Sequence, residues 1–180
     1  MKVLSLDPGL KNLAYCYMDV STSPPTILQW DILYITDGNC KKMSIEEIMD
    51  ALLIALNSKF NDEFEADTIL IENQPALKNG HMKTISVALY TYFNMMRLQY
   101  GTIGEVKFIS ATNKLKCSKA DNLKIDTYKD RKKASIDLAR LYITEWCADK
   151  LDWFNKLKKA DDMSDCFNQL IYYGEKQKYI

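Results

Sequence analysis

The chain has 180 residues, 47% hydrophobic and 27% charged, with 24 basic side chains balancing 24 acidic ones. These proportions are those of a globular protein and predict one domain over residues 1–180; no apolar run is long enough for a bilayer and no repeat is present. Five cysteines without a CxxC pair and one histidine, His81, leave no material for a zinc centre or a histidine triad, so any enzymatic chemistry falls to carboxylates and lysines.

In chain order, Met1–Leu6 reads as an apolar strand and Leu13–Val20 as a second, joined through Asp7, a Pro8-Gly9 turn and Lys11-Asn12. Ile27–Ile35 is a third, and the close connections predict an antiparallel meander that ends at Asp37-Gly38. A capped amphipathic helix follows, with Ser44 at its N-cap and Glu47 three residues on. Asp67–Glu72, "DTILIE", is a continuous apolar strand after a helix, which predicts parallel pairing with the first strand and burial on both faces. A long helix from Asn79 to Tyr100, a fifth strand Val106–Ser110, a lysine-rich loop to Tyr128, a helix over Lys129–Asp149 and a last helix from Asp161 complete the chain. The order predicts an α/β fold of ribonuclease-H-like type: a mixed five-stranded sheet, with a three-strand antiparallel meander plus two parallel strands, flanked by helices.

Charge is segregated along the chain. Lys107–Lys133 holds nine basic residues against three acidic ones, while Ser44–Asp67 holds seven acids against Lys59. Such a dipole can present a basic surface to a polyanion while the whole chain stays neutral.

Two distant strands each end in an acid, Asp7 and Glu72. As sheet neighbours their backbones would lie about 4.8 Å apart. Near the C-terminus "KKADDMSDCFNQLIYY" adds Asp162 and Asp165, spaced i, i+3 and so on one helix face, beside apolar residues that can pack on a sheet. Taken singly, each acid has an ordinary role: an Asx turn at Asp7, a polar strand end at Glu72, helix caps or dipole partners at Asp161 and Asp162. Asp161 lies outside the i, i+3 pair and is assigned the cap. Four converging carboxylates repel one another, and a divalent cation relieves them; all-oxygen ligation suits Mg²⁺ or Mn²⁺. Two such ions can clamp a phosphodiester.

"LSLDPGLKNLAYC", "ILIENQPALKN" and "KKADDMSDC" resemble, in order and spacing, the three acidic motifs of RuvC-type Holliday junction resolvases, in the mitochondrial and poxvirus branch. The resemblance spans almost the whole chain. It implies a Mg²⁺-dependent endonuclease, with Mn²⁺ able to substitute, whose two metal ions are held by Asp7, Glu72, Asp162 and Asp165. It further implies symmetric cleavage of four-way DNA junctions by a homodimer, leaving ligatable nicks in DNA recombination and repair. Bacterial members carry a lysine after the fifth strand that acts at the scissile phosphate. Here "FISATNKLKC" offers Lys114 or Lys116; Lys114 is preferred for that role and Lys116 for the DNA backbone.

Further DNA contacts are expected from Lys78, Asn79 and Lys83 beside Glu72, with Pro75 and Leu77 as a wedge in an opened base step. Arg131, Lys132 and Lys133 open a helix with three cations that oppose its macrodipole, an arrangement a polyanion would relieve. Within the 79–100 helix, Met82, Ile85, Leu89, Tyr92 and Met96 recur at a/d spacing, with further apolar groups beyond that seam, so one face can cover the sheet and another can meet a twin. Two rival functions use the same elements: hydrolysis of RNA–DNA hybrids, and junction binding without catalysis. An actin- or sugar-kinase-like ATPase shares the opening pattern but needs a second phosphate loop. Without a secretion or transit signal, an intracellular, cytoplasmic home is expected, a viral replication site included, and a mitochondrial one disfavoured.

Overall fold

The computed structural model describes residues 1–36, 40–74, 80–120, 123 and 125–180. Strand β1 (Lys2–Asp7) has no polar edge: Val3, Leu4, Ser5 and Leu6 are all buried, as expected of a central strand. It pairs antiparallel with β2 (Asn12–Asp19), which pairs antiparallel with β3 (Thr26–Tyr34). On its other side β1 runs parallel to β4 (Ala66–Asn73), and β4 parallel to β5 (Ile103–Ser110). The order β3-β2-β1-β4-β5 is the predicted mixed sheet.

Helices cover both faces. Against one, α1 (Ile45–Lys59) and α2 (Gly80–Tyr100) bury Ile48, Leu52, Leu89 and Phe93 on Leu4, Leu6, Ile69 and Ile71. Against the other, α3 (Tyr128–Trp146), α4 (Leu151–Asn155) and α5 (Ala160–Gln177) bury Leu138, Phe154, Phe167 and Leu170 with Val3, Cys16 and Leu70. Side chains alternate along a strand, so Asp7 shares the face of Val3 and Ser5, and Glu72 that of Leu70. Both acids therefore look toward α5.

Three contacts set α5 in place. The Trp30 indole Nε1 donates to the Met163 carbonyl at 3.0 Å, and its ring stacks on Phe167 at 4.6 Å between centroids. Gln169 Nε2 donates to Ser5 Oγ at 3.0 Å, tying α5 to the strand that ends in Asp7. Together these bring residues of the last helix over the first strand.

The predicted boundaries shift in places. Ser44 does cap α1, in a reciprocal capping box with Glu47. The lysine-rich loop contains two 3-10 turns, Asn113–Leu115 and Ser118–Ala120. The helix predicted over Lys129–Asp149 ends at Trp146, because the chain turns through Ala148–Lys150 into α4, whose Phe154 stacks on Trp30 at 5.3 Å. On α2 the a/d seam proves to be the core face: Ile85, Leu89, Tyr92 and Met96 are buried against the sheet. The face it leaves to solvent carries Val87, Met95 and Leu98. Asp37-Gly38, Pro75, Leu77, Lys78 and Asn79 lie outside the described residues, and with them the wedge and two of the predicted DNA contacts.

Candidate active site

The site begins with a turn that only glycine permits. A Cβ on Gly9 would lie 2.2 Å from the Asn12 carbonyl oxygen, so the β1–β2 connection closes tightly only because residue 9 has no side chain. The turn sets Asp7 at the end of β1 and returns the chain at Asn12, whose Nδ2 makes a long 3.4 Å hydrogen bond to Asp162 Oδ2. Across the sheet, Leu6 pairs with Ile71; one residue further, Asp7 and Glu72 leave the same edge of adjacent parallel strands.

Lys114 enters this edge from the 3-10 turn after β5. Its Nζ donates to Glu72 Oε2 at 2.9 Å and to Asp165 Oδ2 at 2.5 Å, joining a strand acid to a helix acid. The remaining oxygens have neutral donors: Gln74 Nε2 to Glu72 Oε1 at 3.0 Å and Ser135 Oγ to Asp165 Oδ1 at 2.6 Å. Ser135 is held in turn by Asn168, whose Nδ2 reaches the Ser135 carbonyl at 2.8 Å and Oγ at 3.0 Å. Glu72 is buried, while Asp7, Asp162 and Asp165 are half-buried.

Electrostatics report the same convergence. Burial, and after it the charge of Glu72, pushes the Asp7 carboxyl well above the usual aspartate range; Asp165 and Asp162 add to this and Lys114 opposes it. Burial works against the Lys114 charge, yet Asp165, Glu72 and Asp7 outweigh it and hold the ammonium above the usual lysine range. Glu72 and Asp165 thus both act on Asp7, and all three on Lys114, although they come from three separate elements. Asp162 stands at the rim, paired with Lys159 at 3.3 Å.

A cleft of about 320 Å³ opens beside them, lined by Asp7, Gly9, Asn12, Met82, Lys159 and Asp162. A larger cavity of about 570 Å³ lies away from the acids, among Pro24, Pro25, Tyr142 and Trp146. Its charged groups are already engaged: Glu175 accepts from Ser118 and Tyr142, and Lys119 pairs with Glu145. The smaller cleft is the one beside candidate chemistry.

The acids gathered beside that cleft, Asp7, Glu72, Asp162 and Asp165, offer carboxylate oxygens, the chemistry of a Mg²⁺ or Mn²⁺ site, and the repulsion that adds to burial in raising the Asp7 carboxyl is one a cation would relieve. Among the described residues no three acids stand ready to share one ion. Lys114, expected beside the acids, lies between Glu72 and Asp165 and supplies positive charge there.

The other predicted residues take different places. Asp161 does not cap α5: Lys159 occupies the N-cap, and Asp161, inside the first turn, binds Lys132 Nζ at 2.5 Å. Lys132 therefore has a structural partner, and the run Arg131–Lys133 follows a Thr127–Asp130 capping box, so local stability explains part of what looked anomalous. Arg131 and Lys133 are exposed. Lys116 is exposed and bonds Asn113 Oδ1 at 3.3 Å. Lys83 donates to Asn73 Oδ1 at 2.7 Å and covers the Phe108 ring at 4.9 Å.

The sequence profile described as "Poxvirus A22 protein" matches residues 1–174. The chain belongs to this poxvirus A22 family. A curated relative, the uncharacterized protein L451 of Acanthamoeba polyphaga mimivirus, is 29% identical over 121 residues, which cover 61% of the chain and 29% of the relative. The chain thus spans less than a third of that protein's length. Among solved structures, the fowlpox virus Holliday junction resolvase is 20% identical with a TM-score of 0.64, over 98% of this chain and 99% of that one. The yeast mitochondrial Holliday junction resolvase is 18% identical with a TM-score of 0.57, over 98% and 80%. Thermus thermophilus RuvC is 12% identical with a TM-score of 0.55, over 99% and 96%. At these identities the likeness is one of fold. The resemblance read from three short motifs holds for family and for fold.

Sequence reasoning missed several residues that this A22-family chain uses around the acids: Asn12, Gln74, Ser135, Lys159 and Asn168. Two of them left a signal. Ser135 and Asn168 are polar residues on helix faces that are otherwise apolar, and a polar group there needs a partner.

Proposed function

We propose that this chain is a structure-selective endodeoxyribonuclease that resolves four-way DNA junctions by symmetric, divalent-metal-dependent hydrolysis of two phosphodiesters. The observation that carries the reading is the meeting of Asp7, Glu72 and Asp165 around the Lys114 ammonium, from two parallel strands and the last helix. Membership of the poxvirus A22 family supports it, as does likeness in fold to a fowlpox virus resolvase solved with its junction DNA.

Asp7, Glu72, Asp162 and Asp165 would hold the Mg²⁺ ions, with Mn²⁺ able to substitute. Bound there, the ions supply Lewis acidity at the scissile phosphate and lower the pKa of attacking water. Ser135 fixes the orientation of Asp165 through its 2.6 Å hydrogen bond. Lys114 offers an ammonium to a phosphate oxygen once it leaves its carboxylates. Arg131 and Lys133, exposed on the first turns of α3, and Lys116 after β5 meet the phosphates of the junction arms. Cutting two opposed strands together calls for two sites related by a two-fold axis, and the solvent face of α2 around Val87, Met95 and Leu98 is where a second copy would pack.

The test is cleavage of labelled four-way junction, RNA–DNA hybrid and plain duplex, each with and without Mg²⁺. Paired nicking of the junction, lost in Asp7→Asn, is the expected result. Preferential cutting of the hybrid would favour a ribonuclease H activity, and binding to the junction without cleavage a silent module.

A further inference from the structure

Every carboxylate oxygen of Glu72 and Asp165 has a donor, but the donors are of two kinds. Glu72 Oε1 and Asp165 Oδ1 accept from neutral groups, Gln74 and Ser135. Glu72 Oε2 and Asp165 Oδ2 face a single charged nitrogen, Lys114 Nζ, at 2.9 and 2.5 Å. The neutral donors orient each carboxylate, and the ammonium gathers one oxygen of each about a common cationic point. The lysine side chain is 18% exposed, against 7% for Glu72 and 21% for Asp165, so the cluster is closed to most of the solvent that would otherwise screen it.

We propose that Lys114 is a built-in counter-ion of the metal-free protein, occupying the cation position between Glu72 and Asp165, and that a divalent ion binds by displacing it. The proposal rests on the reading of the acid cluster as a divalent-metal centre. An ammonium and a divalent cation repel at contact distance and compete for the same two oxygens, so both cannot hold them. Lys114 stands on a short 3-10 turn with a flexible four-carbon stem, which lets the ammonium swing out without moving β5. Its release frees a cation beside the acids when the metal arrives and not before. Gathering of the lysine's charge to the phosphate is thereby made conditional on metal occupancy.

Displacement has a thermodynamic signature. Part of the free energy of metal binding is spent on breaking the Lys114 pairs, so removing the lysine tightens metal binding even though it removes a residue assigned to the reaction. Calorimetric titration of Mn²⁺ into wild type, Lys114→Met and Lys116→Met tests this, the last variant losing the same charge from the same loop. Lys114→Met is expected to bind Mn²⁺ about tenfold or more tightly than wild type, with Lys116→Met close to wild type. Unchanged or weaker binding by Lys114→Met overturns the proposal.

Without metal that variant leaves Glu72 and Asp165 uncompensated, and it could fail to fold. Wild-type protein then supplies the second measurement, reductive methylation of lysines read by mass spectrometry. Lys114 is expected to be protected without metal and to react when Mn²⁺ is saturating. Mn²⁺ uptake with Lys114 still protected overturns the counter-ion role and leaves the metal centre standing. No Mn²⁺ uptake by either protein removes the metal centre and the proposal together.

Discussion

At Asp7, burial and charge act in the same direction. The folded protein holds the Asp7 proton more tightly than the unfolded chain does, because burial and Glu72 both disfavour the carboxylate. Its contribution to stability is therefore full below the ordinary aspartate value of 3.8 and drains away as pH climbs toward the raised folded value. Thermal melts of the metal-free protein should fall across that range, and Asp7→Asn should flatten the fall and raise the melting temperature, by about 2–4 °C per kcal/mol for a chain of this size. An Asp7→Asn protein with the wild-type pH profile would remove Asp7 from the charge cluster. Ser135 offers a second residue-level test. Its hydroxyl donates to a charged acceptor at 2.6 Å, so Ser135→Ala should cost about 1.5–3 kcal/mol in denaturant titration. A still larger loss of junction cleavage would mark Ser135 as orienting Asp165.

Among the elements, the β1–β2 turn is the most constrained by its backbone. Gly9→Ala must push the turn apart, because the added carbon would lie 2.2 Å from the Asn12 carbonyl oxygen, well inside van der Waals contact. The expected cost is about 1–3 kcal/mol, with the Asn12–Asp162 contact displaced. Chemical denaturation and a crystal structure of the variant would measure both. The α2 helix teaches a different lesson. Its apolar seam was plain in the sequence, but periodicity says only that a face is buried, and the sheet claimed it. For α3 the charge pattern was equally plain, and its meaning changed once Asp161 of α5 proved to lie against Lys132.

For the whole molecule, the separation of charge leaves Arg131 and Lys133 exposed on α3. If each contacts a phosphate, the double variant Arg131→Ala/Lys133→Ala should reduce the slope of log affinity against log salt by about 2, with binding weakened alike for all junction sequences. A slope equal to wild type would take the pair out of the footprint. Assembly is testable in the same way. Met95 and Leu98 are 55% and 71% exposed, so charging both to Glu should leave the monomer's stability nearly unchanged. Sedimentation should then show a wild-type dimer and a variant monomer; a wild type that stays monomeric at micromolar concentration would end the two-fold reading.

What the sequence determined by itself was local: apolar runs that must be strands, a capping box at Ser44, acids at strand ends, and a helix bearing Asp162 and Asp165 at i, i+3. These follow from short-range backbone and side-chain preferences, and the order of elements then limits the sheet to few arrangements. Only the tertiary structure decided which cation meets which acid. Lys114 reaches Glu72 across 42 positions and Asp165 across 51, while Lys132 reaches Asp161 across 29. Contacts of that span depend on how Trp30, Ser5 and Gln169 seat the last helix on the first strand, and no pattern within a window of residues encodes that distance.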